Sequence, residues 1–270
     1  MKKRILTAVV GIPILFLMLS CGGYCIFATC LVLTALGLFE YATAMNLKLE
    51  QPISYIFIEL LGLIITVIMK FDYYGLMPVL MLVFIAVFCY EIVQGVHGKQ
   101  DIFRGIVTLF GLIYIPVLFG YLMMFENLHS GTYYLWMVFI IAFSTDTAAY
   151  FTGLAIGKTK LAPEISPKKT IAGAVGGLIA SSVLTTLYGL LLTYGFHQSV
   201  PILAYTIIGL VGSVAGQCGD LTASMIKRKT GVKDFGKCLP GHGGILDRFD
   251  SILFIIPLVF VFTNYAMGMA

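Results

Sequence analysis

The chain has 270 residues, 59% of them apolar and 11% charged, with 17 Lys and Arg against 13 Asp and Glu. Ordinary soluble domains carry roughly 45–50% apolar and ~25% charged residues, so this composition excludes a typical water-soluble globule. A mean hydropathy of +0.98 also excludes a disordered chain, which needs low hydrophobicity and many charges.

A helix needs about 20 predominantly apolar residues to cross a bilayer. Apolar runs at about 5–20, 24–45, 53–69, 75–95, 102–125, 132–156, 171–194, 200–219 and 251–269 predict an all-α polytopic membrane protein with about nine transmembrane helices. The runs are long and do not alternate, which favours helices over a barrel. The first run is short, and the Ser20-Cys21-Gly22-Gly23 turn to the second is tight. With no clear small-residue cleavage site and another span at once, it reads as a span and not as a removable signal.

Cytoplasmic loops collect Lys and Arg. With the N-terminus cytoplasmic, Lys2, Lys3, Arg4, Lys48, Lys99, Arg104, Lys158, Lys160, Lys168, Lys169, Lys227, Arg228, Lys229, Lys233, Lys237 and Arg248 fall inside and Lys70 alone falls outside, 16 against 1. Nine spans then put the C-terminus outside. The net charge of +4 is therefore a topology signal and gives no reason to expect a nucleic-acid partner. Residues 1–125 form an N-terminal set of about five spans, and 126–270 form a region with two long cytoplasmic loops, 157–170 and 220–250. The outer loops 70–74, 126–131 and 195–199 are short, so any chemistry should face the cytoplasm.

The six cysteines, Cys21, Cys25, Cys30, Cys89, Cys218 and Cys238, form no CxxC pair and read as small buried hydrophobes. Carboxylates in spans are expensive and mark function by default. Asp146 shares a face with Ala142, Ala149 and Gly153, and Asp220 follows the Gly209, Gly212, Gly216 and Gly219 stripe and ends its helix at the cytoplasmic side. Small residues are where membrane helices meet, so both acids should face the bundle. Such glycine faces could pack within one chain or across a homodimer. Glu40 and Glu91 lie near inner ends, where snorkelling or pairing with Lys48 or Lys99 would suffice, and Glu59 has no small-residue face. Structural roles are expected for these three. His97, His129 and His197 read as solvated loop residues.

Two loop constellations carry more. Ser166-Pro167-Lys168-Lys169-Thr170 precedes an apolar helix. Ser at the N-cap and Pro at the first helical position would make that helix end an anion site, to which the lysines and Thr170 add charge and donors. The second runs from Ser224 to Asp250 through Lys227, Arg228, Lys233, Asp234, Lys237, Pro240-Gly241-His242-Gly243-Gly244 and Asp247-Arg248-Phe249-Asp250. A positive-inside loop accounts for its Lys and Arg but not for the glycines, which let backbone approach a ligand, nor for Asp-Arg-x-Asp. Asp247 and Asp250 would share a helix face, and Asp220 stands at the other end of the loop. Carboxylate oxygens beside many cations suit Mg²⁺ holding a polyphosphate.

This stretch resembles the signature of the phosphatidate cytidylyltransferases (CDP-diacylglycerol synthases): S-x-x-K-R, four residues, K-D, a spacer to H-G-G, and D-R-x-D. Its anchors are Ser224, Lys227, Arg228, Lys233, Asp234, His242, Gly243, Gly244, Asp247, Arg248 and Asp250. The likeness continues upstream through Asp146 to Gly153, Gly157-Lys158, Ser166 to Thr170 and Gly219-Asp220, and covers about 140–255. Ala172 departs from it, standing where the family often has Glu or Gln.

The resemblance implies that CTP and phosphatidic acid give CDP-diacylglycerol and pyrophosphate, and the compact nine-span chain suits a bacterial plasma membrane. The resemblance also implies Asp220, Asp247, Lys227 and Arg248 as catalytic residues. Asp220 and Asp247 would be metal ligands, with Asp146 and Asp250 as second choices, for Mg²⁺ as two divalent ions or one divalent plus a monovalent cation. Ser166, Lys168, Lys169 and Thr170 would hold CTP phosphates. Lys227, Arg228, Lys233, Lys237 and Arg248 would hold the phosphatidate head group or departing pyrophosphate, with Ser224, Asp234, His242, Gly243 and Gly244 also at the substrates. The lipid tails would enter laterally between helices. A CTP-dependent kinase or cytidylyltransferase acting on another lipid is the nearest alternative. An anion transporter is disfavoured, because the ionisable residues crowd one side and no repeat is visible.

Overall fold

The computed structural model describes residues 20–47, 52–96, 101–128, 130–198, 200–238 and 243–268. The expected span at 5–20 lies outside the described residues except for Ser20, as do Lys48, His97, Lys99, His129 and His242.

Among the described residues there are eight helices: α1 (Gly23–Ala44), α2 (Pro52–Phe71), α3 (Leu76–Val96), α4 (Ile102–Asn127), α5 (Gly131–Ile156), α6 (Ile171–Gly195), α7 (Ile202–Thr230) and α8 (Leu246–Gly268). Six of them, α1, α3, α4, α5, α6 and α7, are long and apolar enough to cross a membrane. The chain is a polytopic membrane protein. Its helices are apolar nearly all round, and large side chains such as Ile85, Phe103, Ile179 and Leu203 stand exposed, as expected where lipid replaces water.

Two departures from the sequence reading matter for the site. First, within an otherwise helical fold, Ser166–Thr170 is a strand and not the start of a helix. Lys160–Ala162 (β1) pairs antiparallel with Ser166–Thr170 (β2) in a two-stranded hairpin. Ser166 is therefore not the cap of α6 and Pro167 is not its first residue. Thr170 is the cap, in extended backbone, and its hydroxyl oxygen accepts the Gly173 N–H at 3.1 Å. Pro167 lacks an N–H, which a short two-stranded hairpin tolerates because each strand has an unpaired edge.

Second, Asp220 does not end its helix. α7 continues to Thr230 and stops at Gly231, whose φ of 73° lies in the left-handed region that glycine adopts at little cost. Lys227, Arg228 and Lys229 fill the last turn, where the helix dipole favours cations. Likewise α8 starts at Leu246, before the apolar run does. Hydropathy locates the bilayer boundary, whereas helix ends follow caps and helix formers, so both helices extend past the apolar stretch. Between them, the described residues 231–238 and 243–245 are not helical.

The chain divides into two compact units, one of Met1–Met124 with Asp234–Asp247, the other of Phe125–Lys233 with Arg248–Ala270. In the first unit α1 packs on α2 and on both ends of α4. α4 is interrupted by a wide π-type turn at Ile113–Val117 around Pro116, which cannot donate the helical bond. Several of its buried polar groups are paired across helices. Thr34 and Thr66 share a 3.2 Å hydroxyl contact, and Tyr41 donates to the Val107 carbonyl at 2.9 Å. Glu91 takes Arg104 in a two-pronged pair, Nε to Oε1 at 2.8 Å and Nη2 to Oε2 at 2.5 Å, and also accepts the Asp101 N–H at 3.2 Å. Its structural role stands, with Arg104 as partner.

In the second unit α5, α6 and α7 form a tight three-helix layer. Gly173 and Gly177 of α6 face the Ala149 and Thr145 carbonyls of α5; a Cβ there would stand 2.6 and 3.0 Å from them. Gly209 meets Thr185 and the Ser181 carbonyl of α6, Gly212 meets Ile141 of α5, and Gly216 meets Ile255 of α8. Hydroxyls bridge the same seams, Thr145 to Ser213 at 2.9 Å and Ser181 to the Gly209 carbonyl at 2.9 Å. These small-residue faces are filled within the chain, so they supply no surface for a second copy.

The cysteine expectation fails in part. Cys30 is buried, its thiol donating to the Phe119 carbonyl at 3.4 Å. Cys21, Cys25, Cys89, Cys218 and Cys238 lie on exposed faces. An apolar thiol in a membrane span is as well placed against lipid as against protein.

Candidate functional site

The second unit gathers five of the expected charged residues. Lys169, at the end of β2, places its Nζ 2.6 Å from Asp220 Oδ2 on α7. Ser224, one turn on, donates to Asp220 Oδ1 at 3.4 Å. Both partners remain partly exposed, Lys169 by 24% and Asp220 by 32% of their side-chain areas. Asp146 of α5 has Asp220 and Lys169 as charged neighbours and Ser251 as its hydrogen-bonding side chain. Asp250 of α8 has Asp220, Lys227 and Asp146 as its charged neighbours and accepts the Ser251 N–H at 2.8 Å. Three carboxylates and two ammonium groups therefore share one neighbourhood, built from α5, β2, α7 and α8.

Local structure explains the convergence. The hairpin ends where α6 begins, and α6 packs on α5 through glycine, so the strand end lies beside α5. Thr170 is buried there, and a Cβ on Gly153 would stand 3.0 Å from its hydroxyl. Arg228 Nε donates to the Ile165 carbonyl at 3.2 Å and ties the hairpin turn to the end of α7. Ser166 is half-buried on β2, while Lys168, Lys233 and Arg248 are exposed.

The remaining expected residues belong to the first unit. Asp247 is buried in the first turn of α8, and its Oδ2 accepts the Phe235 and Gly244 N–H groups, each at 2.9 Å. Gly243 has a φ of 88°, and a Cβ there would stand 3.0 Å from Asp247 Oδ2, so both conformation and space call for glycine. Asp234 and Lys237 are exposed. Glu40, read from sequence as structural, reaches the same loop: its Oε1 accepts the Ile245 N–H at 2.9 Å and its Oε2 the Leu246 N–H at 3.0 Å. Partial desolvation and the nearby Glu40 carboxylate push the Cys238 thiol up. A lone acid in an apolar span was the only sequence signal for Glu40.

Among the described residues, no group of three or more His, Cys, Asp or Glu is arranged to hold a metal ion. The donor set is nevertheless of the right kind. Carboxylate oxygens suit a hard divalent cation, and the Lys169 ammonium already places one positive charge against Asp220.

Ammonium groups beside carboxylates on a polytopic helical frame are the kind of groups that a membrane enzyme of phosphate chemistry would use. A family model described as the Cytidylyltransferase family matches residues 2–266, and the chain belongs to that family. It is similar to the phosphatidate cytidylyltransferase of Bacillus subtilis (strain 168), 36% identical over 267 residues that cover 96% of each chain. The phosphatidate cytidylyltransferase of Staphylococcus aureus (strain COL) is 35% identical over 264 residues, covering 96% of this chain and 97% of the relative. That of Staphylococcus haemolyticus (strain JCSC1435) is 33% identical over 261 residues with the same coverage.

Proposed function

We propose that this chain is a phosphatidate cytidylyltransferase of phospholipid biosynthesis, converting CTP and phosphatidic acid to CDP-diacylglycerol and pyrophosphate. The observation that carries this reading is the family match across residues 2–266. The Lys169–Asp220 pair, standing within the part of the chain where the signature lies, supports it.

A phosphatidate phosphate oxygen attacks the α-phosphorus of CTP. The bond from that phosphorus to the oxygen bridging to the β-phosphate breaks, and pyrophosphate leaves. Both reactants are anions, so the protein's first task is to overcome their repulsion. Ser166, Lys168, Lys169 and Thr170 hold the CTP phosphates, with the N-terminal end of the α6 dipole behind them. Lys227, Arg228, Lys233, Lys237 and Arg248 hold the lipid phosphate and the leaving group. Ser224, Asp234, His242, Gly243 and Gly244 complete the substrate contacts. No protein base is needed, because a phosphate monoester is already largely ionised at neutral pH (second pKa ≈ 6).

Asp220, with Asp146 and Asp250 beside it, would hold Mg²⁺, and Asp247 is assigned the same role on the strength of the signature. When bound, divalent cations neutralise charge on the attacking and leaving oxygens. The basic-residue pattern supports nine spans, a cytoplasmic N-terminus and a site that faces the cytoplasm of a bacterial cell. The partial exposure of Asp220 and Lys169 supports entry of both a nucleotide and a lipid head group.

The test is an assay of the purified chain in detergent with labelled CTP, phosphatidic acid and Mg²⁺. Organic-extractable cytidine product is expected with phosphatidic acid. Transfer of the γ-phosphorus label of CTP to a lipid alcohol, with no cytidine product from phosphatidic acid, would replace this reading with the kinase alternative.

A further inference from the structure

We infer that Glu40 is a positioning residue: from the last two turns of α1, its carboxylate holds the backbone at Ile245 and Leu246, with Gly236 and Gly244 against it, and so sets where the Asp247 side chain stands. The inference rests on the proposed function for its activity readout alone.

Four backbone N–H groups here are shared between two carboxylates. Phe235 and Gly244 donate to Asp247 Oδ2, and Ile245 and Leu246 donate one to each oxygen of Glu40. Ile245 and Leu246 stand at the start of α8, where N–H groups have no partner inside the helix. A carboxylate is favoured at that end by the helix dipole. Most helices obtain such a cap from a neighbouring Ser, Thr, Asp or Asn. Here it comes from a residue 205 positions away in sequence.

The loop is shaped around that carboxylate. Glu40 is 1% exposed. A Cβ on Gly236 or on Gly244 would stand 2.6 Å from its Cδ, so neither position admits a larger residue while Glu40 is in place. Cys238 provides a further side-chain hydrogen-bond partner. An acid inside an apolar span is costly, and a helix merely packing against a neighbour would do so more cheaply with an apolar side chain. What Glu40 adds is a fixed tether between α1 and the backbone that brackets Asp247.

The test uses the full-length chain in detergent and two variants. Glu40→Gln keeps one acceptor but turns an NH₂ group toward the other N–H. Gly236→Ala keeps the carboxylate and puts a methyl group against it. Amide hydrogen exchange of 235–246 is expected to rise about tenfold in each, as a lost hydrogen bond would give. Exchange in the hairpin Lys160–Thr170 should stay at the wild-type rate. Turnover should fall on the order of a hundredfold, as a small misplacement of a reacting group can cause, with KM for CTP moving far less. The double variant should lose little more than either single one, because both act through one contact.

Wild-type exchange at 235–246 in both variants would overturn the inference. So would exchange raised equally in the hairpin, or raised exchange with normal turnover. If Glu40→Gln does not accumulate, Gly236→Ala decides alone. A wild-type chain without cytidylyl transfer would overturn the proposed function, and the exchange data would still decide whether Glu40 holds the loop.

Discussion

At the scale of single residues, the acids divide by what satisfies them. Glu91 is satisfied by a guanidinium, Glu40 by two backbone amides, and Asp220 by an ammonium that is partly exposed. Only the last arrangement can be exchanged for a ligand without breaking the fold. Asp220→Asn should therefore leave yield and thermal midpoint unchanged while turnover falls at least about a hundredfold, the scale seen when one well-placed electrostatic group is removed. Steady-state kinetics beside a melting curve check this, and a near-normal rate would remove Asp220 from the site. Asp247→Asn keeps an acceptor for Phe235 and Gly244, so it should also lose turnover while exchange at 235–246 stays low. Asp146 and Asp220 were legible from sequence because an acid beside small residues in a span has few bland explanations. Glu40 was not, because its partners are backbone amides, and amides leave no mark in a sequence.

At the scale of elements, glycine sets how close the helices come. The α6–α7 seam brings Gly209 so near that a Cβ would stand 2.9 Å from the Thr185 Cβ and 3.0 Å from the Ser181 carbonyl. Gly209→Val should lower the thermal midpoint in detergent, since overpacking of a close seam costs about 1–3 kcal/mol. Gly195→Ala, whose Cβ would meet Leu191 at 3.5 Å, should leave the midpoint unchanged. Equal midpoints for both would show that the seam has slack. The helices themselves were read well. The runs at 24–45, 75–95, 132–156 and 171–194 fall within a residue of α1, α3, α5 and α6. The errors came where structure continues beyond the apolar stretch: α7 runs on to Thr230, α8 starts at Leu246, and Ser166–Thr170 is a strand. Hydropathy has no signal for a polar helix turn or for a short hairpin whose pairing depends on a partner strand.

At the scale of the whole molecule, scarcity of charge predicts a membrane protein, and family membership over nearly the full chain agrees with that reading. The central claim is that the cytidylyl group, and not the terminal phosphate, moves to the lipid. The most direct measurement compares CTP labelled at the α-phosphorus with CTP labelled at the γ-phosphorus, each incubated with phosphatidic acid, Mg²⁺ and the purified chain. The account predicts α-label in the organic-extractable lipid and γ-label released as pyrophosphate. γ-Label in the lipid, with the α-label left in a soluble nucleotide, would contradict it.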